Sequence, residues 1–566
     1  MTILQKSTRQ VGIYHVTIWV LSTLLHIFYK EISISNLHNV QTVGPILFVA
    51  APHSNDMIDP AMISSVLLFH LHHPVSFLAA ERVMRRRFIS MIATAMGCIT
   101  LRRVWDRANL GRGRIFAPDI TNEPQLIKGR GTRFDQDAKV GDFVMIVVAK
   151  QRILRAEISE IRGPQELYLK EGFTGLDNPK EVLTDSLYSL ARKPESDNAF
   201  PSIFAKFKEG GAICMFPEGT THDQSDLLPL KTGFAVIALS YLAANPHSTL
   251  NLVPCGIHHT NGHRFRSRAA VEFRAPIYVP KSLVERYRNG EEKGAVRELT
   301  EIVYQNLKEV TFKYPDSRVL DLAQALRRIY EPNSGLYPMD QKASLNKKML
   351  KLLSDPQQDS RVKSLLRSAN EYDLQLRDQG IQHHQIRYAR LSWKHSLVLL
   401  FFQLGKLLLI SPAIFPGLLL FTPVLILANS ISKKKAKLAV ATSPFKIQGL
   451  DVVASWKTLT AMAVTPFLYS FYTALLTYWA IQNQFCGVLP KDIRVGIVAA
   501  VGFILLSVIT FVSFLTGDYA VATLKSLRPL LMLQRRRSSK QMRDMYNKQS
   551  VLQREVRVLI DLPSCE

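Results

Sequence analysis

A base and two acids share one string, Pro52-His53-Ser54-Asn55-Asp56-Met57-Ile58-Asp59-Pro60. An imidazole whose ordinary pKa is about 6.5 can take the proton of a hydroxyl near neutral pH. A carboxylate behind the ring fixes its tautomer and stabilises the imidazolium that forms. His53 is therefore a candidate base, with Asp59 as orienting partner and Asp56 as the rival carboxylate. Such pairs also occur on ordinary protein surfaces, so the string alone names no reaction.

A second string, Phe216–Gly233, reads FPEGTTHDQSDLLPLKTG. The apolar run Ala212–Phe216 enters it and an apolar helical pattern, Phe234–Ala243, leaves it. A strand that stops at a Pro-Glu-Gly turn and restarts as a helix leaves backbone N–H groups unpaired. With Lys231 beside them, those donors suit a phosphate or another anion; a plain connecting turn is the simpler alternative. A third string, His263-Arg264-Phe265-Arg266-Ser267-Arg268, precedes a strand-like run ending at Phe273. In an extended chain Arg264, Arg266 and Arg268 would share one face, either gripping phosphates or forming a solvated basic edge.

Together with Leu101-Arg102-Arg103-Val104-Trp105-Asp106-Arg107-Ala108, these strings resemble, in order, the four blocks of the glycerolipid acyltransferases. The continuation His222-Asp223-x-x-Asp226-Leu227-Leu228-Pro229-Leu230-Lys231-x-Gly233 resembles the fungal-type glycerol-3-phosphate/dihydroxyacetone-phosphate branch. The likeness runs from about Leu47 to Ile386 and includes Gly129-x-Gly131-Thr132-x-Phe134, Arg327-Arg328-Ile329-Tyr330-x-Pro332 and Gly380-Ile381-x-x-His384-Gln385. It implies His53 as the base and Asp59 as its partner, although five residues separate them where the broad family has four. It places Arg103 on the family's second-block arginine, without the Pro-Val that usually precedes it. It assigns Glu218, Gly219 and Thr220 to the acceptor, Lys231 to the acceptor's phosphate, and Pro254 of Val253-Pro254-Cys255-Gly256 to the acyl-CoA side. The implied reaction moves an acyl group from acyl-CoA to the 1-hydroxyl of glycerol 3-phosphate or dihydroxyacetone phosphate, the first step of glycerolipid synthesis. Backbone donors at the Pro-Glu-Gly turn would steady the oxyanion, and neither metal nor cofactor is implied. A lysophosphatidate acyltransferase using the same blocks, or a membrane lipid-binding protein that has lost activity, stands as the alternative.

The elements that must position these residues follow from composition and periodicity. The chain has 566 residues, 47% of them hydrophobic, and a formal charge of +25. Its mean hydropathy is +0.04 with 21% charged residues, so the apolar residues are clustered. The positive charge calls for an anionic partner, and long apolar segments favour the anionic leaflet and phosphorylated substrates over nucleic acid. Five scattered cysteines form no CxxC pair, which supports neither a disulfide framework nor a zinc site and suits a reducing compartment. Strand and helix patterns alternate from Val43 to Leu101 and resume at Phe204, predicting an α/β domain with a mainly parallel sheet. Between them a small β-rich, barrel-like insertion is expected at about 117–200.

The expected organisation is a membrane-associated helix in 1–35, an acyltransferase domain in 36–290, a helical segment in 291–394, a transmembrane region in 395–520 and a basic tail in 521–566. Val11–Tyr29 could span a bilayer, lie on it, or form a buried core helix. Pro412, Pro416 and Pro423 predict that Leu397–Leu427 breaks into two short helices, as a hairpin or re-entrant pair. Leu459–Ile481 and Val495–Thr516 have spanning length. The basic flanks Lys433–Lys437 and Lys525–Arg537 place the tail in the cytosol and, if the hairpin returns to its starting side, the catalytic domain too. An endoplasmic-reticulum membrane location is expected.

Overall fold

The computed structural model describes residues 2–41, 43–101, 108–119, 122–148, 152–173, 185–192, 199–224, 226–260, 262–311, 325–326, 328–330, 349, 360–442, 446–483 and 494–561. The α/β portion opens with α1 (Thr2–Phe28), β1 (Tyr29–Ser35), β2 (Ile46–Ala51), α2 (Ile58–Leu71), β3 (Val75–Ala80), α3 (Arg87–Ala95) and β4 (Ile99–Leu101). After an insertion containing β5 (Asn109–Leu110), β6 (Arg114–Phe116), β7 (Leu126–Arg130), β8 (Phe143–Val148), β9 (Arg152–Gly163), β10 (Glu166–Leu169) and β11 (Tyr188–Ala191), it continues. There follow α4 (Ala199–Lys208), β12 (Ala212–Met215), α5 (Gly233–Ala244), β13 (Asn251–Thr260), β14 (Ser267–Phe273), β15 (Ile277–Tyr278) and α6 (Glu292–Val310).

One sheet runs β1-β14-β13-β2-β12-β3-β4, with β15 also on β13. It is mainly parallel; only β13 pairs antiparallel, with β14 and β15. All six residues of β2 are buried, because a central parallel strand is covered on both faces and must be apolar throughout. On α6, Leu299, Val303, Leu307 and Val310 recur at helical spacing and are buried against α5 and the sheet. The sheet takes in Tyr29–Ser35, so the segment expected to belong with the membrane helix supplies an edge strand.

The insertion is a second sheet, β5-β11-β8-β9-β10-β7-β6. Ile115 and Ser186 bond through both backbones at 2.9 Å, which brings β6 back to the segment before β11 and closes the path into a barrel. Ile115, Ile127, Phe134, Ile146, Leu167 and Tyr188 fill it.

The remaining helices are α7 (Ser360–Gln379), α8 (Trp393–Thr442), α9 (Leu450–Gln482), α10 (Val495–Leu533) and α11 (Arg536–Asp561). Among the described residues four helices are long and apolar enough to cross a membrane: α1 over Val11–Phe28, α8, α9 and α10. α1 buries Tyr14, Ile18, Leu21 and Leu25 in the core of the α/β portion while Val16 and Trp19 stay exposed. It is thus tied to the domain on one face and apolar on the other.

Two elements extend further than expected. Pro412, Pro416 and Pro423 lie inside one helical stretch, α8, not between two separate helices, and the stretch still turns back on itself: Ser396 meets Gln534 and Ala413 meets Ser513 of α10, while Leu420 meets Tyr472 of α9. Pro412 cannot donate to the carbonyl four residues earlier, and the Ser411 hydroxyl replaces it, donating to Leu408 O at 2.8 Å. Ser513 of α10 also donates to Ala413 O at 2.8 Å, bracing the same stretch from its neighbour. Residues 521–561, expected as a basic tail, are largely helical. α10 runs to Leu533, and α11 packs Met542, Met545, Leu552 and Val556 against Leu365, Tyr372 and Leu376 of α7.

Candidate active site

Three adjacent parallel strands, β13, β2 and β12, end at the same edge of the sheet. Ligands of open α/β sheets sit outside the carboxyl ends of the strands. β2 delivers His53 there, β12 delivers the Phe216–Gly219 turn, and β13 delivers His259.

His53 Nδ1 lies 3.1 Å from Asp59 Oδ2, and the carboxylate is fully buried while the ring is 12% exposed. The same oxygen accepts the N–H groups of Ser54 and Asn55, both at 2.8 Å. Asp56 is exposed and makes no contact with the ring among the described residues, so Asp59 is the partner. The other Asp59 oxygen accepts from His259 Nε2 at 2.8 Å, and Tyr29 Oη reaches His259 Nδ1 at 3.2 Å. Burial alone would raise the Asp59 carboxyl, but hydrogen bonds from His259 and His53 overturn that and hold it at about 2.

An ionised Asp59 only accepts, so His53 donates from Nδ1 and His259 from Nε2; His259 Nδ1 then accepts from the Tyr29 hydroxyl. That assignment leaves His53 Nε2 with a lone pair, and it carries no hydrogen bond among the described residues. Phe216 fixes the ring from the side, stacked with centroids 3.9 Å apart and planes 12° apart. A tautomer-locked imidazole with one unbonded nitrogen at a sheet edge can take a hydroxyl proton and return it.

The relatives supply the class. Residues 322–564 match the family model for the glycerol-3-phosphate acyltransferase 2 C-terminal domain, and residues 192–258 match an acyltransferase model. An uncharacterised acyltransferase of Schizosaccharomyces pombe is 33% identical over 523 residues, covering 92% of this chain and 76% of the relative. Glycerol-3-phosphate O-acyltransferases 1 and 2 of Saccharomyces cerevisiae are 31% and 32% identical, covering 92% of this chain and 67% and 72% of the relatives. The chain belongs to the glycerol-3-phosphate O-acyltransferase family.

In this acyltransferase Glu218, expected at the acceptor, also braces the base. Its carboxylate is buried and both oxygens are occupied: Oε2 accepts from His53 N at 2.7 Å, and Oε1 from His222 Nε2 at 2.8 Å and Leu228 N at 3.1 Å. With His222 N donating to His53 O at 3.1 Å, the two loops are stitched together and the base is fixed through its backbone. Gly219 has φ +68, and a Cβ there would fall 2.6 Å from Lys231 Nζ. The positive φ is what asks for a glycine here, while the exposed lysine tip could swing aside from a side chain. Gly219 N donates to Phe216 O at 3.1 Å, so this donor is already used and is not offered to an oxyanion. Thr220 is half-buried, its hydroxyl making only a 3.5 Å contact with Thr221 O, and Lys231 is exposed.

The arginines do not converge. Arg266 adopts φ 60 in the turn before β14 and closes the end of α1, its N–H donating to Phe28 O at 2.7 Å and its Nη1 to His26 O and Ile27 O. Its guanidinium also pairs with Asp518 of α10. Arg268 pairs with Glu31 at 3.0 Å. Strand alternation fails because the strand starts only at Ser267. Arg264 is exposed and without an ion pair among the described residues. Arg103 lies outside the described residues. Pro254 is buried inside β13, at the point where its antiparallel partner changes from β15 to β14. A ladder residue lacking an N–H fits such a gap, but it presents no surface to acyl-CoA.

The motif also fastens the catalytic portion to α9. Asp223 accepts from Ile447 N and Gln448 N, both at 2.7 Å, and from Leu450 N at 3.3 Å. Burial opposes the charge of Asp223, and these N–H groups overcome it to keep its pKa below the ordinary value. Lys446 donates to Thr221 Oγ1 at 2.9 Å and pairs with Asp451, and Ser455 Oγ accepts from Met57 N at 3.2 Å.

Tyr29, His222 and His259 are the functional residues that sequence reasoning missed. The adjacent pair His258-His259 at the end of a predicted strand was the available signal, since alternation sends one of the two to each face. Tyr29 gave none, being hidden at the end of an apolar helix.

Proposed function

We propose that the chain transfers an acyl group from acyl-CoA to the 1-hydroxyl of glycerol 3-phosphate, with dihydroxyacetone phosphate as second acceptor. The unbonded His53 Nε2, locked as a base by Asp59, His259 and Tyr29, carries the reading. His53 takes the hydroxyl proton, and the oxygen attacks the thioester carbonyl. The tetrahedral adduct collapses with loss of the coenzyme A thiolate, which takes the proton from the imidazolium. The ester formed is the acyl-glycerol phosphate, and the base is regenerated. Lys231 and Arg264, with Arg103, bind phosphate groups, and Thr220 lies by the acceptor. Glu218 positions His53.

The catalytic portion faces the cytosol of an endoplasmic-reticulum membrane. Asp223 and Met57 hold it to the start of α9, beside Lys433–Lys437 at the end of α8, and that basic flank is the cytosolic side under the positive-inside rule. Purified protein in detergent, given palmitoyl-CoA and each acceptor in turn, should acylate glycerol 3-phosphate and dihydroxyacetone phosphate and leave lysophosphatidate unreacted. Turnover of lysophosphatidate alone overturns the acceptor assignment.

A further inference from the structure

An apolar cavity of about 1120 Å³ opens between α1, α8, α9 and α10. That is somewhat more than ordinary small-molecule sites enclose, roughly 300–1,000 Å³. We propose that it binds one long acyl chain, that of the acyl-CoA donor or of the acylated product, and sets the chain length the enzyme uses. The proposal rests on the acyl transfer described above.

Its location is the first support. Phe28, at one end, precedes Tyr29 of the histidine relay. Lys457 lines the same end and donates to His263 O at 3.0 Å. The turn containing His263 touches the site as well: a Cβ on Gly262 would lie 3.0 Å from His259 and 3.4 Å from Asn55. The head of the cavity therefore adjoins the catalytic loops.

Its polarity is the second. The walls are mostly apolar, with Asn429, Ser430, Thr458 and Ser507 among them, and Lys433 and Lys457 lie within electrostatic reach of one another. A mostly apolar cavity with ammonium groups near the catalytic loops suits a molecule with a hydrocarbon tail and an anionic head. Length is the third. Thr458, Ala461, Thr465 and Tyr469 present successive turns of α9 to the cavity. At a rise of 1.5 Å per residue that stretch covers about 16 Å, close to one leaflet's half of a hydrocarbon core of about 30 Å. Tyr469, bonded to Thr510 and beside the Phe503 ring, lines the end away from Lys457.

The test is a pair of fillings at different depths. Ala461→Trp, nearer the head, should lower the kcat/KM ratio for palmitoyl-CoA over octanoyl-CoA by about tenfold or more, because each methylene denied burial weakens binding several-fold. Thr465→Trp, one turn deeper, should lower it less. An unchanged ratio in both variants overturns the proposal. Turnover of octanoyl-CoA controls for folding. Wild-type turnover tests the reaction separately, so failure of one reading does not mimic failure of the other. If neither variant folds, photolabelling of the wild-type protein with palmitoyl-CoA carrying a chain-terminal diazirine decides. The label should fall on cavity-lining segments of α9 and α10 and be competed by unlabelled palmitoyl-CoA. Label scattered over the lipid-facing helices and not competed overturns it. Labelling that persists in His53→Ala assigns the cavity to the donor chain. Labelling that needs both His53 and glycerol 3-phosphate assigns it to the product.

Discussion

His53 meets Asp59 at 3.1 Å, and His383 meets Asp373 at 2.9 Å. The pairs share their chemistry and almost nothing else. His53 gives Nδ1 to its acid and keeps Nε2 at the edge of a sheet. His383 gives Nε2 to its acid and leaves Nδ1 buried, with no hydrogen-bond partner among the described residues. Asp59 faces two imidazoles and two backbone N–H groups. Asp373 instead faces two guanidiniums, Arg328 at 3.1 Å and Arg377 at 2.6 Å, which absorb its charge. Burial then pushes His383 below its ordinary value, and the two arginines add to that against the pull of Asp373. A histidine and a carboxylate in contact are thus not yet a base. What makes one is which nitrogen is left over, what else the acid holds, and whether the ring lies at a strand end or inside a helical core.

The sharpest separation should come from removing each ring. His53→Ala should lower kcat at least about 10³-fold, since the proton acceptor is gone. His383→Ala should stay within about threefold of wild type at low temperature. Glycerol 3-phosphate acylation in detergent at saturating palmitoyl-CoA measures both, and a comparable loss in the two would dissolve the distinction.

Changing the acids comes next. Asp59→Asn should lower kcat by about 10²–10⁴-fold, because the amide can present a donor to the ring and favours the wrong tautomer. Asp373→Asn should leave kcat near wild type and lower stability by about 1–3 kcal/mol, a buried-pair loss reduced by the solvent exposure of both arginines. Thermal unfolding followed alongside activity tells the two outcomes apart. A smaller effect is expected at the second layer, which only the first pair possesses. His259→Ala should lower kcat by about tenfold with little change in KM for either substrate, because Asp59 loses one of its donors. A shift in the pH profile of kcat should accompany it; a change confined to KM would mean that His259 touches substrate.

The same contrast explains what was legible in the sequence. His53 and Asp59 lie six positions apart, so one string contained both, and the apolar run of β2 announced the strand that carries them. His259 is 200 residues from Asp59 and Tyr29 is 230 from His259, so only the sheet order brings them together. Glu218 was found by its motif, but its bracing of His53 was not, because a turn residue read locally points outward, whereas here the turn folds over β2 and buries it. The paired arginines failed for the complementary reason: Asp518 and Glu31, which neutralise them, stand in segments read as membrane. The prolines of α8 turn the chain back without ending the helix, because at Pro412 the Ser411 hydroxyl supplies the donor that the ring lacks.

The finest test uses pH, because the two pairs should release stability in different windows. Asp59 is held at about 2, below the ordinary carboxylate value. A depressed carboxylate stabilises the fold above its unfolded pKa of about 3.9, and that contribution disappears as pH falls towards 2. For this fully buried group it amounts to about 2–3 kcal/mol. His383 is depressed too, but for a histidine the sign differs: the neutral ring suits the fold, and stability drains once pH falls below the unfolded value of about 6.5, where the unfolded chain takes up the proton first. Lowering pH from 7.5 to 5.5 should therefore cost the wild-type protein part of its Tm that a His383→Leu variant does not lose, while Asp59→Asn follows the wild type over that interval. Below about pH 4 the order reverses, and the Tm gap between wild type and Asp59→Asn closes. Equal acid sensitivity of wild type and His383→Leu between pH 7.5 and 5.5 would show that the second histidine is not held neutral by its burial, and the contrast between the pairs would then rest on access alone.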